Sequence, residues 1–367
     1  MQIQGSELVK EFHMYDIKLQ GITKKFEAFT AVNDINFTIP KSSVTVLLGP
    51  SGCGKTTLMR MIAGLESPTQ GRIFFDEHDV TDVPTRRRNI GMVFQYPVIY
   101  RGTSVRKNLE LPLLSEKLSK AEMDKRVDEV AEILDLQDVL KRQVEELDNG
   151  TRQKIAVGRE VARKPRIILF DEPITNIDLT SKLELKRSMK ELFGRLKQTI
   201  VYVTHDQTEA MTLADQIALM QDGVITQCDS PKEIYEKPNS QFAGWFLGNP
   251  GMNFVPPQFI NVSGSKITSP LFSQTIDFGS KAASADTFGV RAEGINVSTT
   301  ETKGGVQARV TRKSIGAGGQ YLLDLAVGSL LIKARVSHSI GRTAKDAVWT
   351  SIESENITFF DKSGKAL

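Results

Sequence analysis

Nine residues limit this chain more than any others: Gly49-Pro50-Ser51-Gly52-Cys53-Gly54-Lys55-Thr56-Thr57. They fit G-x-x-x-x-G-K-[ST], a loop that closes around phosphate oxygens. The flanks suit that reading. Val44-Thr45-Val46-Leu47-Leu48 has the run of apolar residues of a buried strand, and Leu58-Met59-Arg60-Met61-Ile62-Ala63 reads as the start of a helix. Glycines let successive backbone N–H groups turn inward at a helix N-terminus and form an anion nest. Lys55 supplies a point charge for the β- and γ-phosphates, and the Thr56 hydroxyl is a ligand for Mg²⁺. Strand, loop and helix together predict an α/β fold of the P-loop NTPase class.

Further polar residues fall at the ends of predicted strands. Ile167-Ile168-Leu169-Phe170 is an apolar strand that ends in Asp171-Glu172, a Walker B pattern. Asp171 would hold Mg²⁺, directly or through water, and Glu172 would orient or deprotonate the attacking water. Ile90-Gly91-Met92-Val93-Phe94 delivers Gln95, and Thr199-Ile200-Val201-Tyr202-Val203-Thr204 delivers His205. In sheets of this class the carboxyl edge faces the ligand crevice. A neutral imidazole there can sense or polarise a γ-phosphate, although His205 taken alone fits a structural role better. Upstream, Ile17–Gln20 and Asn36–Ile39 alternate as strands. Phe26 lies between them, either stacked on a purine ring or packed in the core.

The rest of the chain divides into regions. Thr103 to Ala162 reads as mostly helical, with a capping-box signal at Ser119 and Glu122. The basic run Thr85-Arg86-Arg87-Arg88-Asn89 reads as a solvated face. Proline, glycine and asparagine between Glu236 and Pro257 mark a boundary. Beyond it, short alternating stretches such as Val306–Val310 and Tyr321–Leu325 predict a small all-β barrel or sandwich. The expected division is an N-terminal extension over 1–15, an α/β domain over 16–245 with its helical part at about 100–162, and a β domain over 250–367. A length of 367 residues suits two cores. A net charge of +3, from 47 basic and 44 acidic residues, gives no footprint for nucleic acid. No apolar run reaches the ~18 residues of a spanning helix. Met1 to Met14 lacks the pattern of a signal peptide, and Met14 is a second candidate start. The two cysteines, Cys53 and Cys228, fit a reduced, cytoplasmic setting.

The order of these motifs resembles the ATP-binding-cassette (ABC) ATPases, and more narrowly the ATPase subunit of carbohydrate importers of the maltose and glycerol-3-phosphate type. Met61-Ile62-Ala63-Gly64-Leu65-Glu66, Gly91-Met92-Val93-Phe94-Gln95 and Thr204-His205-Asp206-Gln207-Thr208-Glu209-Ala210 carry the likeness most closely. Asn249-Pro250-Gly251-Met252-Asn253-Phe254 and Val290-Arg291-Ala292-Glu293 extend it into the β region, where Ala292 stands in place of a usual proline. The resemblance implies an ATP- and Mg²⁺-dependent enzyme with an OB-like regulatory domain. Phe26 would stack on adenine. Gln95 would reach the Mg²⁺–nucleotide site, Glu172 would be the catalytic carboxylate and His205 the switch histidine. Thr175-Asn176-Ile177-Asp178 would be the D-loop, touching a second ATPase subunit. The implied partners are that subunit, two membrane permease subunits and, indirectly, an extracytoplasmic solute-binding protein. The implied location is the cytoplasmic face of the plasma membrane.

One stretch departs from the family pattern. Its signature loop runs Leu-Ser-Gly-Gly-Gln, but this chain has Leu147-Asp148-Asn149-Gly150-Thr151. The resemblance brings that loop to the γ-phosphate held by the other subunit. A carboxylate about 4 Å from a phosphate charge repels it by about 4 kcal/mol at an effective dielectric of about 20. Asn149 also lacks the freedom of glycine where backbone approaches phosphate. The expectation is a heterodimer with a second ATPase whose signature is intact, a homodimer being the other possibility.

Overall fold

The computed structural model describes residues 14–175 and 177–367, apart from the side chains of Lys281 and Ala317. Most of the expected 1–15 extension and Asn176 of the expected D-loop lie outside the described residues. The chain forms two compact units, which meet between Pro231 and Lys232.

The first unit opens with β1 (Ile17–Phe26) and β2 (Phe29–Ile39), followed by β3 (Val44–Leu48), α1 (Lys55–Ala63), β4 (Gln70–Phe75), β5 (His78–Asp79) and β6 (Ile90–Val93). A helical stretch follows, with α2 (Val105–Glu110), α3 (Lys120–Ile133) and α4 (Asn149–Ala162). The unit closes with β7 (Ile167–Asp171), α5 (Leu179–Arg195), β8 (Thr199–Thr204), α6 (Gln207–Leu213), β9 (Gln216–Gln221) and β10 (Val224–Asp229). Its main sheet runs β10-β9-β3-β8-β7-β6 and is parallel except at β10. Strands β3, β7 and β8 are buried along their whole length. Sheets covered on both faces need such continuous apolar strands. A second, antiparallel sheet runs β2-β1-β4-β5.

Two elements exceed their expected bounds. β1 continues six residues past Gln20, because a bulge at Gly21 (φ +61°) breaks the alternation that would have revealed it. α1 begins at Lys55, three residues before Leu58, since glycine and lysine conceal the first turn from an apolar pattern. The capping box of α3 forms as read, with Ser119 and Glu122 exchanging side-chain-to-backbone bonds.

The second unit contains α7 (Pro231–Glu236), α8 (Gln241–Phe246), β11 (Asn253–Val255), β12 (Asn261–Ser263), β13 (Lys266–Thr268) and β14 (Ile276–Asp277). It continues with α9 (Ser280–Ala283), β15 (Thr287–Val290), β16 (Ile295–Ser298), β17 (Val306–Ile315), β18 (Tyr321–Val327) and β19 (Leu330–Val336). α10 (His338–Thr343), β20 (Ala347–Ile352) and β21 (Ile357–Phe360) complete it. Its strands make three antiparallel sheets, β16-β20-β17-β18-β19, β11-β15-β21 and β12-β13-β14, with Phe288, Leu323, Leu325, Ile332 and Val348 in their shared core. The unit begins at Lys232, eighteen residues before the expected 250. Arg291 explains why: its buried guanidinium donates to the carbonyls of Tyr235, Gly244 and Leu247, which binds α7 and α8 to the β region.

Candidate active site

The phosphate loop lies between the end of β3 and the start of α1. Gly49 is buried, Pro50 is half-buried, and Ser51 and Gly52 are exposed. Gly54 caps α1 in the left-handed region (φ +101°), and a Cβ there would sit 2.3 Å from the Ala31 carbonyl oxygen. β2 therefore packs so closely on the loop that only glycine fits. Among the described residues no side chain caps the helix or accepts from its first N–H groups. Lys55 is buried and its Nζ donates to the carbonyls of Gly49 (2.9 Å) and Pro50 (2.8 Å). The Cys53 thiol is also buried, and burial raises its pKa. Thr57, half-buried, follows in the first turn.

β7 brings its carboxylates to the same edge. Thr56 Oγ1 donates to Asp171 Oδ1 at 3.0 Å. Asp171 is buried, and that burial pushes its carboxyl above the usual range despite the Thr56 bond. A hydroxyl beside a buried carboxylate is an all-oxygen donor pair suited to a hard cation such as Mg²⁺. Glu172 follows in the left-handed region (φ +45°), where a non-glycine residue costs about 1–3 kcal/mol. Its N–H bonds the Val203 carbonyl at 3.0 Å, which holds the turn on β8. Its Oε2 lies 3.2 Å from His205 Nδ1 and accepts from Thr175 Oγ1 at 3.2 Å. The structure thus joins Glu172 to His205 and Thr56 to Asp171. Gln95 is half-buried two residues beyond β6, and among the described residues no hydrogen bond links it to Thr56 or Asp171. Phe26 ends β1 with its ring partly exposed, not in the core, and Lys24 Nζ lies 4.9 Å from the ring centroid.

The stretch Leu147–Thr151 begins α4. Leu147 is buried. Asp148 is the N-cap: its carboxylate accepts from Thr151 N at 2.8 Å and Thr151 Oγ1 at 2.7 Å. Partial burial opposes ionisation, yet the bonds from Thr151 bring its carboxyl below the usual range. Asn149 is exposed, whereas Gly150 is buried and a Cβ there would lie 2.5 Å from Ser181 Cβ. Ser181 in turn donates its N–H to Asp178, the N-cap of α5, at 3.1 Å.

Several contributors escaped the sequence reading. Arg88 is not on a solvated face. It is buried and donates to the Met61 and Ile62 carbonyls at the end of α1, and to Val83 and Thr81. Arg86, Arg87 and Asn89 of that run are exposed. Gln153 Nε2 donates to the Phe94 carbonyl at 3.0 Å, fixing the residue before Gln95. The buried Glu209 accepts from Tyr202 Oη (2.9 Å) and Thr204 Oγ1 (2.8 Å), which anchors β8 just before His205. No local pattern announces these long-range contacts.

Fold and site together define a P-loop nucleoside triphosphatase with a helical insert and a separate β unit. Residues 32–175 match the ABC transporter family. The sn-glycerol-3-phosphate import ATP-binding protein UgpC of Salmonella typhimurium is 37% identical over 352 residues, 95% of this chain and 98% of that protein. An uncharacterized ABC transporter ATP-binding protein, y4oS of Sinorhizobium fredii, is 35% identical over 92% of this chain and 91% of its own length. Among solved structures, cbiO1 from Clostridium perfringens, part of the ABC transporter complex cbiONQ, is 26% identical with a TM-score of 0.56, covering 60% of this chain and 91% of its own. The dimeric, post-hydrolysis ATP-binding cassette MJ0796, bound to ADP and Pi, is 28% identical with a TM-score of 0.52, covering 59% and 98%. The chain belongs to the ABC transporter family and is an ABC-type import ATPase that binds ATP. Among the described residues, no helix is long and apolar enough to cross a membrane.

Proposed function

We propose that this chain energises uptake of a sugar, polyol or related solute, with glycerol phosphates the first class to test. It would work at the cytoplasmic face of the membrane on two permease subunits, supplied by an extracytoplasmic binding protein. Gly49 to Thr57 and Phe26 would hold ATP, with Lys55 on its terminal phosphates. Thr56 and Asp171 would hold Mg²⁺, with Gln95 nearby. The ion would offset charge on the transferred phosphoryl group. Glu172 would orient and deprotonate water, and His205 would sense the γ-phosphate. The 3.2 Å approach of Glu172 to His205 supports these roles most directly, because it sets a base and a polarisable imidazole at one strand edge.

Asp148 motivates the second half of the proposal: the other ATPase in the dimer would be a different chain with an intact signature. The site on this chain's P-loop would then turn over, and the one facing Asp148 would not. The bonds from Thr151 to both Asp148 oxygens favour one further reading, a homodimer in which the carboxylate is drawn back onto its own helix. Deleting the gene and measuring uptake of radiolabelled sn-glycerol-3-phosphate and a panel of sugars and polyols tests the transport role. At least one uptake should disappear and return with the wild-type gene but not with Glu172→Gln. Unchanged uptake of every solute, or full rescue by Glu172→Gln, would defeat it.

A further inference from the structure

His205 is fixed from both sides. On one side, Thr204 Oγ1 donates to the buried Glu209 and accepts the Asp206 N–H at 2.9 Å. On the other, Asp206 N-caps α6, accepting from Thr208 N (2.8 Å), Thr208 Oγ1 (2.6 Å) and Glu209 N (3.3 Å). One cation serves both carboxylates: Lys182 Nζ lies 2.7 Å from Asp206 Oδ2 and 3.3 Å from Glu209 Oε1. Lys182 stands in the first turn of α5, the helix capped by Asp178. That same helix start meets α4 at Ser181 against Gly150.

We propose that Lys182 is a positioning residue for hydrolysis, tying the start of α5 to the backbone on either side of His205. This rests on the proposed role of His205. A shift of α5 at Asp178 would be carried by Lys182 directly to Asp206 and Glu209, and so to the imidazole 3.2 Å from Glu172, whereas Lys186 of the same helix reaches only Thr208, through its carbonyl (2.7 Å) and hydroxyl (3.1 Å). Burial alone would disfavour the ammonium, but Asp206 and Glu209 hold its pKa above the ordinary value, so the tether stays charged. It joins two elements, α5 and the β8–α6 turn, that are otherwise separate in sequence.

The test uses the full-length chain, affinity-tagged and isolated from its native membranes with its subunits attached. Lys182→Met should lower kcat for ATP by about tenfold or more while KM and nucleotide Kd stay within about twofold, the pattern of an interaction made in the transition state. Lys182→Arg should keep most of the activity, since it can bond both carboxylates. Lys182→Met also leaves Glu209 buried without its cation, so Lys182→Met/Glu209→Gln provides the control. Its melting temperature should recover while kcat stays low. Wild-type kcat in Lys182→Met, or recovery of kcat together with stability in the double variant, overturns the proposal. His205→Ala is measured in parallel. If it retains full turnover, the role of His205 fails; if it loses turnover while Lys182→Met does not, only the tether fails.

Discussion

Two helix N-termini in the first unit, α1 and α4, are built in opposite ways. At α1 the cap is Gly54 and among the described residues no side chain accepts from the first turn, which suits the backbone there to an anion. At α4 the cap is Asp148, and the chain's own carboxylate takes that place. One end suits a phosphate, while the other already carries a negative charge. Each is anchored to the rest of the unit, α1 by Arg88 at its far end and α4 by Gly150 against Ser181 in its first turn. The difference lies in the capping group. It is the physical basis for assigning ATP binding to the P-loop and for doubting the opposite face.

The largest test of this contrast is Lys55→Ala. Removing the charge over the open terminus should cut ATP turnover by about 10²–10³-fold, the usual effect of losing one preorganised electrostatic donor. Steady-state phosphate release measures it, and a change of less than about threefold would show that the nest works without the lysine. Gly150→Ala acts at the other terminus. The new methyl would collide with Ser181, so stability should fall by about 1–3 kcal/mol, read from the denaturant midpoint, with ATP affinity of this chain's own P-loop unchanged. Asp148→Ala gives the smallest effect, about 1 kcal/mol of lost capping at neutral pH. Its sign with pH is fixed. The folded carboxyl lies below its ordinary value of 3.8, so its stabilisation is complete above that value and fades as pH falls below it. The gap between wild type and variant should close in acid; a gap that widened would contradict the capping geometry.

The parts of the site that were legible in sequence are those whose chemistry is local. Gly49 to Thr57 and Asp171-Glu172 each combine a fixed motif with a flanking apolar strand, and the parallel sheet follows from strands buried on both faces. Asp148 was conspicuous because it breaks a pattern. Its actual contact, with Thr151 three residues on, is a standard N-cap that the Asp-x-x-Thr spacing also permits. The rest depends on partners distant in sequence. Arg88 looks like its exposed neighbours Arg86 and Arg87 until the carbonyls of Met61 and Ile62 are brought to it. Lys182 looks like any helix-surface lysine until β8 and α6 present Asp206 and Glu209. The division at Pro231 was hidden for the same reason, since Arg291 reaches back some fifty residues to claim α7 and α8.

ATP turnover by the purified full-length chain alone, wild type against Asp148→Ser, tests the contrast most directly. Serine keeps an N-cap oxygen and removes the charge, so the fold is preserved while the repulsion is lifted. The account predicts weak turnover for the isolated wild-type chain and a rise of about tenfold or more for Asp148→Ser, since each 1.4 kcal/mol relieved is worth a factor of ten. Robust, cooperative hydrolysis by the wild type alone, left unchanged by Asp148→Ser, would contradict it and show that the Asp148 carboxylate does not impair turnover.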